Sequence, residues 1–302
     1  MKPPLWLIWL VLTFGVLAIS TGAILIRLAS VSAGMSGLGF SLVMAASRMA
    51  IAALLLVPTW PKIQWQNLQP GAMLYATAAG VCLAAHFPMW ITSLSYTSIA
   101  ASTTLVTTNP IWVALLSWLW LQERPTRQTI IGMVVAMMGG LTIGLADISG
   151  VTTGSNPLLG NFLALMGAWT ISLYMLLGRQ AQSQGLGIGG YVVVAYSVAA
   201  VILSPIPLLS GVGYTGYPGL VYFYLVLMAL LPQLIGHTSF NWAVRWISPT
   251  LVTLAILFEP VGASFLGYLL FGEVPSLVVL VGAVILLVGV AIAALGSKQK
   301  HT

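Results

Sequence analysis

Apolar runs of about 20 residues recur along this chain, separated by short clusters of polar residues, Pro and Gly. A spanning helix needs about that length to cross a bilayer core. The runs fall at approximately 5–27, 36–58, 71–93, 98–121, 128–146, 158–178, 188–209, 218–242, 250–271 and 276–296. None alternates with the two-residue period of a barrel strand. Backbone groups in lipid must be bonded within the segment, so the runs predict helices. The pattern therefore predicts an all-α integral membrane protein of ten transmembrane helices, with no soluble domain between them. The first run follows Lys2 as a secretory signal would, but its apolar stretch exceeds the ~7–15 residues of a signal core.

Composition agrees with a chain dissolved in lipid. Of its 302 residues, 59% are hydrophobic and 5% are charged, against roughly 25% charged in a soluble protein. So few charges cannot cover a water-facing surface, and so much apolar content excludes disorder. The single cysteine, Cys82, excludes a disulfide framework and a thiolate metal cluster. A net charge of +6 would suit nucleic acid, but the ten bases are scattered and form no patch. They read instead as a topology signal. With a cytoplasmic amino terminus, Lys2, Lys62, Arg124, Arg127, Arg179, Arg245, Lys298 and Lys300 all fall inside. Only Arg27 lies at an outer end, while Arg48 lies within a span, and Asp147 and Glu273 fall outside. The positive-inside rule then predicts a cell (inner) membrane protein with both termini cytoplasmic.

Sliding the sequence against itself by 150 residues aligns Ser98 with Ser248, Pro110 with Pro260, Glu123 with Glu273, Pro125 with Pro275, Gly132 with Gly282 and Gly139 with Gly289. A shift of 152 aligns the run from Gly15 with that from Gly167, and Arg27 with Arg179. The chain reads as two copies, 5–146 and 158–296, each with five spans. Because five is odd, the second copy enters the membrane inverted. Inverted repeats around a midplane site are the architecture of secondary transporters.

The run Gly236-His237-Thr238-Ser239-Phe240-Asn241-Trp242-Ala243, followed by Ser248-Pro249-Thr250 and Phe258-Glu259-Pro260-Val261-Gly262-Ala263, resembles the second half of the EamA family of the drug/metabolite transporter superfamily. Ser47 to Leu56 resembles that family's second span, and Asn109-Pro110 through Glu123-x-Pro125 its fourth-to-fifth junction. The resemblance covers essentially the whole chain. It implies ten helices in two five-helix repeats, and export or exchange of small metabolites such as amino acids. One departure is Asn109, which stands where the other half has Glu259.

An ionisable group within a span is costly and is by default a functional candidate. Arg48 and Glu259 both lie near mid-span. Each reads as a substrate contact, with Glu259 also a candidate proton site, or as structural, either in an ion pair or with Arg48 bonded to backbone carbonyls and fixing one helix. Gln233, His237 and Asn241, spaced i, i+4 and i+8, would share one helix face. That stripe lines a water-filled path or bonds between helices. His86 lies 151 residues before His237, as its counterpart, and shares a face with Trp90. Asn109 precedes Pro110, which cannot donate and so frees the carbonyl of Val106 and kinks its helix, as Pro260 does with Ile256 in the second half. The candidate substrate-binding residues are thus Arg48, His86, Trp90, Asn109, Gln233, His237, Asn241 and Glu259. Most tryptophans, including Trp6, Trp9, Trp60, Trp65, Trp118 and Trp120, read as interface anchors, and Trp112 and Trp169 as core packing. The Glu-x-Pro pairs at 123 and 273 read as helix junctions, with Pro in the first turn of the next helix.

No phosphate-binding loop is present, so no ATP or other cofactor is implied. No His/Asp/Glu spacing suggests a metal. Gly34-Met35-Ser36-Gly37 matches the motif of intramembrane serine proteases, but Ser36 falls in a short loop rather than opening a helix near a histidine. Acid rings or repeated filter loops would mark a channel, and none is seen. The sequence reads as a carrier and not an enzyme, exporting or exchanging a small organic metabolite by alternating access, with an uptake permease as the alternative. Its expected partners are that metabolite, the lipid bilayer and a second copy of the chain as a homodimer; nucleic acid is not among them.

Overall fold

The computed structural model describes residues 3–63, 68–121, 125–148, 154–243, 246–247, 252 and 255–297. Of the positions singled out above, Lys2, Trp65, Glu123, Arg124, Arg245, Ser248, Pro249, Thr250, Lys298 and Lys300 lie outside the described residues, as do the side chains of Trp120 and Asp147. The described residues are helical, without a strand.

The helices are α1 (Leu5–Ala33), α2 (Leu38–Leu56), α3 (Ala72–Ser93), α4 (Ile99–Val106), α5 (Asn109–Leu121), α6 (Arg127–Ile148), α7 (Pro157–Ser183), α8 (Ile188–Leu203), α9 (Pro205–Leu209), α10 (Gly219–Met228), α11 (Thr238–Ala243), α12 (Glu259–Phe271) and α13 (Leu277–Ser297). A 3-10 turn, Val57–Lys62, extends α2, and a π-helix, Ala229–His237, joins α10 to α11. Seven continuous segments are long and apolar enough to cross a membrane: Leu5–Ala33, Leu38–Lys62, Ala72–Ser93, Ile99–Leu116, Pro157–Ser183, Ile188–Leu209 and Gly219–Ala243. The apolar helices of α6 and α13 are shorter over the described residues, and α12 begins only at Glu259.

Large apolar side chains such as Leu54, Met137, Leu141, Phe223 and Leu269 face outward, whereas Arg48, Gln233, Asn109 and Thr103 are buried. That distribution is the reverse of a water-soluble fold, and it fits a multi-pass membrane protein whose solvent is lipid. Trp6, Trp9 and Trp118 are exposed near helix ends. Trp169, expected in the core, instead faces outward with 39% of its surface exposed.

Local chemistry sets the helix ends. Ser98 Oγ accepts the Ala101 N–H at 3.1 Å and starts α4, and Asn156 Oδ1 accepts the Leu159 N–H at 3.3 Å ahead of Pro157. At the Glu-x-Pro junctions the capping groups are Thr126 and Ser276, whose hydroxyls accept the N–H of Thr129 at 3.1 Å and Val279 at 3.3 Å. Pro125 and Pro275 therefore precede the helices rather than entering their first turns. The hydroxyls simply outcompete the expected arrangement by satisfying donors that Pro cannot.

Packing is reciprocal between the halves. α3 lies along α7, and the Gly219–Ala243 segment lies along α1 in the equivalent way; α2 faces α8 and α6 faces α13. The last pair meets backbone to backbone. A Cβ on Gly132 would stand 2.6 Å from Gly289 O, and one on Gly282 would stand 3.0 Å from Gly139 O. Likewise Gly139 opposes Gly282 O at 2.7 Å, and Gly289 opposes Gly132 O at 2.7 Å. These are the glycines that the 150-residue shift aligned. Each contact between unlike partners recurs with the halves exchanged, as a two-fold arrangement requires. Without side chains on the seam, the two helices approach as membrane helices do at small residues.

Candidate functional site

Two helix breaks define the site. α4 stops at Val106 and α5 restarts at Asn109, directly before Pro110; α12 starts at Glu259, directly before Pro260. Proline lacks the N–H for an i−4 bond and clashes with the preceding turn, so both spans interrupt at the same place in each half. The break in the first half leaves eight helical residues on one side and thirteen on the other, or about 12 and about 20 Å at ~1.5 Å per residue. Asn109 and Glu259 are therefore deep in the bundle, and both are buried.

They face one cavity of about 60 Å³. Its polar lining also includes His86, His237, Asn241, Thr107 and Tyr174, with Trp90, Phe240 and Met175 among the walls. Space of that size admits several waters or a small polar group. Among the eight residues nominated from sequence, six line it: His86, Trp90, Asn109, His237, Asn241 and Glu259.

Arg48 and Gln233 do not line the cavity. Both are fully buried, and Arg48 Nε donates to Gln233 Oε1 at 2.9 Å. The guanidinium carbon sits 4.1 Å above the centre of the Phe87 ring, a cation–π contact. Phe87 in turn meets His86 edge-on at 4.9 Å and His237 at 5.9 Å. The arginine thus stands behind the wall, packed against Phe87. No carboxylate among the described residues is within 4 Å of it, so of the alternatives above the ion pair with Glu259 is not formed; the described ion pair is Arg27–Glu273. Nη1 and Nη2 of Arg48 have no partner among the described residues.

The stripe of Gln233, His237 and Asn241 does not share one face. Pro232 sits inside the π-helix, where bonds run i→i+5 instead of i→i+4. The wider turn rotates Gln233 toward Arg48 while His237 and Asn241 reach the cavity. Spacing computed for an α-helix therefore misplaces Gln233. The two histidines, by contrast, both meet the Phe87 ring.

Hydrogen bonds orient the lining. His86 Nδ1 lies 2.9 Å from Gly167 O; a carbonyl only accepts, so Nδ1 carries the proton and neutral His86 keeps Nε2 as its acceptor. Trp90 stacks on the His86 ring, with centroids 6.1 Å apart and planes 12° apart. Asn109 Nδ2 donates to Met175 Sδ at 3.4 Å, leaving its buried Oδ1 without a partner among the described residues. Asn241 Nδ2 donates to Tyr174 Oη at 3.0 Å. Tyr174 and Met175 were not nominated from sequence. A mid-span tyrosine is itself a polar group in lipid, and that signal could have found Tyr174. Nothing marks Met175 among twelve methionines.

Ser36 is exposed in the turn between α1 and α2, remote in sequence from the cavity histidines. Among the described residues, no cluster of three His, Cys, Asp or Glu side chains could hold a metal.

Comparison with known proteins adds three findings. A solved crystal structure, titled only as that of a protein, superposes with a TM-score of 0.61 over 98% of this chain and 99% of its own, at 16% identity, which speaks for the fold alone. A probable terminal-alkyne amino-acid exporter of Streptantibioticus cattleyicolor is 28% identical over 174 residues, spanning 57% of this chain and 56% of the exporter's length. The sequence pattern of the EamA-like transporter family matches twice, over residues 4–145 and 158–295. With both halves of the chain matched, and two broken helices meeting at one polar cavity between them, the protein belongs to the EamA-like transporter family.

Proposed function

We propose that this chain is a secondary transporter of ten transmembrane helices, arranged as two inverted five-helix repeats, that exports or exchanges a small organic metabolite, an amino acid or a related compound, by alternating access. The observation that carries the reading is the meeting of Asn109 and Glu259, repeat counterparts at two helix breaks, in one buried polar cavity. Broken helices place polar groups and helix termini at mid-depth, where a carrier holds its cargo. The reciprocal glycine seam supports a two-fold relation, which permits one half to exchange roles with the other. The amino-acid exporter among the relatives supports the substrate class and the outward direction.

In this reading His86, Trp90, Asn109, His237, Asn241 and Glu259 touch substrate, and Arg48 with Gln233 fixes the wall behind them. The protein sits in the cell (inner) membrane with both termini in the cytoplasm, following the basic residues. Proteoliposomes loaded with labelled amino acids test the function. Uptake that saturates and shows counterflow is expected; linear, non-saturating flux would mean a channel instead. Tags after residues 150 and 300 test the architecture, since they should report from opposite faces.

A further inference from the structure

The cavity has a chemical bias. Glu259 is its one carboxyl side chain, and no lysine or arginine lines it. Arg48 does not line it, being stacked on Phe87 and bonded to Gln233. Among the lining polar atoms without a partner among the described residues are the acceptor Asn109 Oδ1 and the donor Trp90 Nε1. Asn109 Oδ1 is buried with no donor among the described residues. His86 has its Nδ1 proton committed to Gly167 O, which leaves Nε2 an acceptor. Three donors on the same wall are occupied, Asn241 Nδ2 on Tyr174, Asn109 Nδ2 on Met175 and Thr107 Oγ1 on Thr104 O at 3.0 Å, which leaves Trp90 Nε1 to meet a carbonyl oxygen that an ester and a carboxylate both offer.

A carboxylate and two neutral acceptors in one small cavity call for a cationic group with several N–H donors. A primary ammonium offers three and no acceptor. The walls fit the same guest, since Trp90, Tyr174 and Phe240 present aromatic rings, which attract a cation through their negative faces. A carboxylate guest would meet Glu259 without a lining cation to offset it. The positive end of the α12 dipole is already met by Glu259 itself, the helix's first residue.

We infer that the cavity recognises its substrate by a primary ammonium group, received by Glu259, Asn109 Oδ1 and His86 Nε2, and that a substrate carboxylate is dispensable. Amino acids, their esters and simple amines then belong to one substrate class, and N-acylated amino acids do not. This inference rests on the transport reading above.

The test uses the purified full-length chain in detergent and a matched panel: the twenty amino acids, their methyl esters and their N-acetyl derivatives, scored by thermal shift and then by binding titration. Those amino acids that bind are expected to keep their affinity within about threefold as methyl esters and to lose it as N-acetyl forms. Glu259→Gln should weaken amine binding by about tenfold or more, as expected for a lost charge-assisted bond. If that variant does not fold, as judged by its elution profile and circular dichroism, Asn109→Leu serves, and about three- to tenfold weakening is expected. N-acetyl forms binding as well as their parents, or esters losing affinity more than tenfold, overturns the inference. So does an amine panel that fails entirely while a non-amine metabolite shows saturable counterflow, and that outcome leaves the transport reading standing. Absence of saturable counterflow with any solute overturns both.

Discussion

Arg27 Nη1 stands 3.5 Å from Glu273 Oε2, joining the end of α1 to the loop ahead of α13, 246 residues away. The same two side chains bind two more segments. Arg27 Nη2 donates to Leu94 O at 3.0 Å, and Glu273 Oε1 accepts the Ile99 N–H at 2.7 Å, at the first residue of α4. Both halves of the chain are therefore tied at one end of the bundle. The groups are partly exposed, so the ion pair contributes about 1 kcal/mol or less to folding. That amount still shifts a two-state population about fivefold.

Glu273→Gln is therefore expected to leave the melting temperature nearly unchanged while opening this end more often. In a background with Cys82 replaced, Thr107→Cys in the cavity would report the change through an impermeant thiol reagent added from outside. Labelling should quicken about fivefold with Glu273→Gln. An unchanged rate would mean the pair only trims the surface.

The glycine seam between α6 and α13 predicts a sharp positional contrast. Gly132→Ala and Gly289→Ala each place a methyl against backbone atoms that cannot turn aside. Each should cost about 1–3 kcal/mol, as overpacking does, and lower the melting temperature in detergent. Gly140→Ala, whose Cβ would find its nearest atom at 3.8 Å, should be neutral or stabilising, because Ala outperforms Gly within a helix by about 1 kcal/mol. Equal losses at all three positions would contradict the seam.

Arg48 and Gln233 should behave as a unit. Gln233→Leu strips the buried guanidinium of its one described hydrogen-bond partner and is expected to destabilise by about 3 kcal/mol. Arg48→Met, which removes the charge but keeps much of the volume, should cost less. Combined with Gln233→Leu it should recover most of the loss, since a buried polar pair replaced by apolar groups is often near neutral. A double-mutant cycle read by denaturant or thermal unfolding measures the coupling; additive losses would show that the two side chains act independently.

Pro232 separates stability from function. Pro232→Ala restores an N–H in the middle of the helix, where proline costs about 3 kcal/mol, so stability should hold or rise. The π turn should then relax toward α geometry, moving His237 and Asn241 out of their places and loosening the Asn241–Tyr174 bond. The expected result is a higher KM for transport with an unchanged or higher melting temperature. A variant with wild-type KM would mean that the π turn does not set the cavity.

Much of the molecule was legible from one sequence, and the exceptions are instructive. Apolar runs located the seven membrane-length segments seen among the described residues, because lipid imposes a length on anything that crosses it. The coincidence of Gly132 with Gly282 and Gly139 with Gly289 announced a seam whose contacts prove reciprocal. Pro110 and Pro260 marked kinks because the missing N–H acts locally, and in the structure both positions are full interruptions. Those features depend on residues near in sequence or on a property of the whole chain. The placement of Gln233 was not legible, since the π turn that rotates it depends on how α1 and α2 pack around the segment. Nor was the outward face of Trp169, because mid-span position does not say which way a side chain turns.

The sequence by itself determined that this chain is helical, lipid-embedded and duplicated, because hydrophobic length, the scarcity of charge and the spacing of proline and glycine act without reference to distant neighbours. Tertiary structure alone decided which polar groups share a cavity. It set Arg48 behind Phe87, turned His86 Nδ1 onto Gly167 and brought Asn109 beside Glu259's cavity across 150 residues of chain. Burial leaves each such group only the partners that the packing brings near, and only the packed bundle determines which those are.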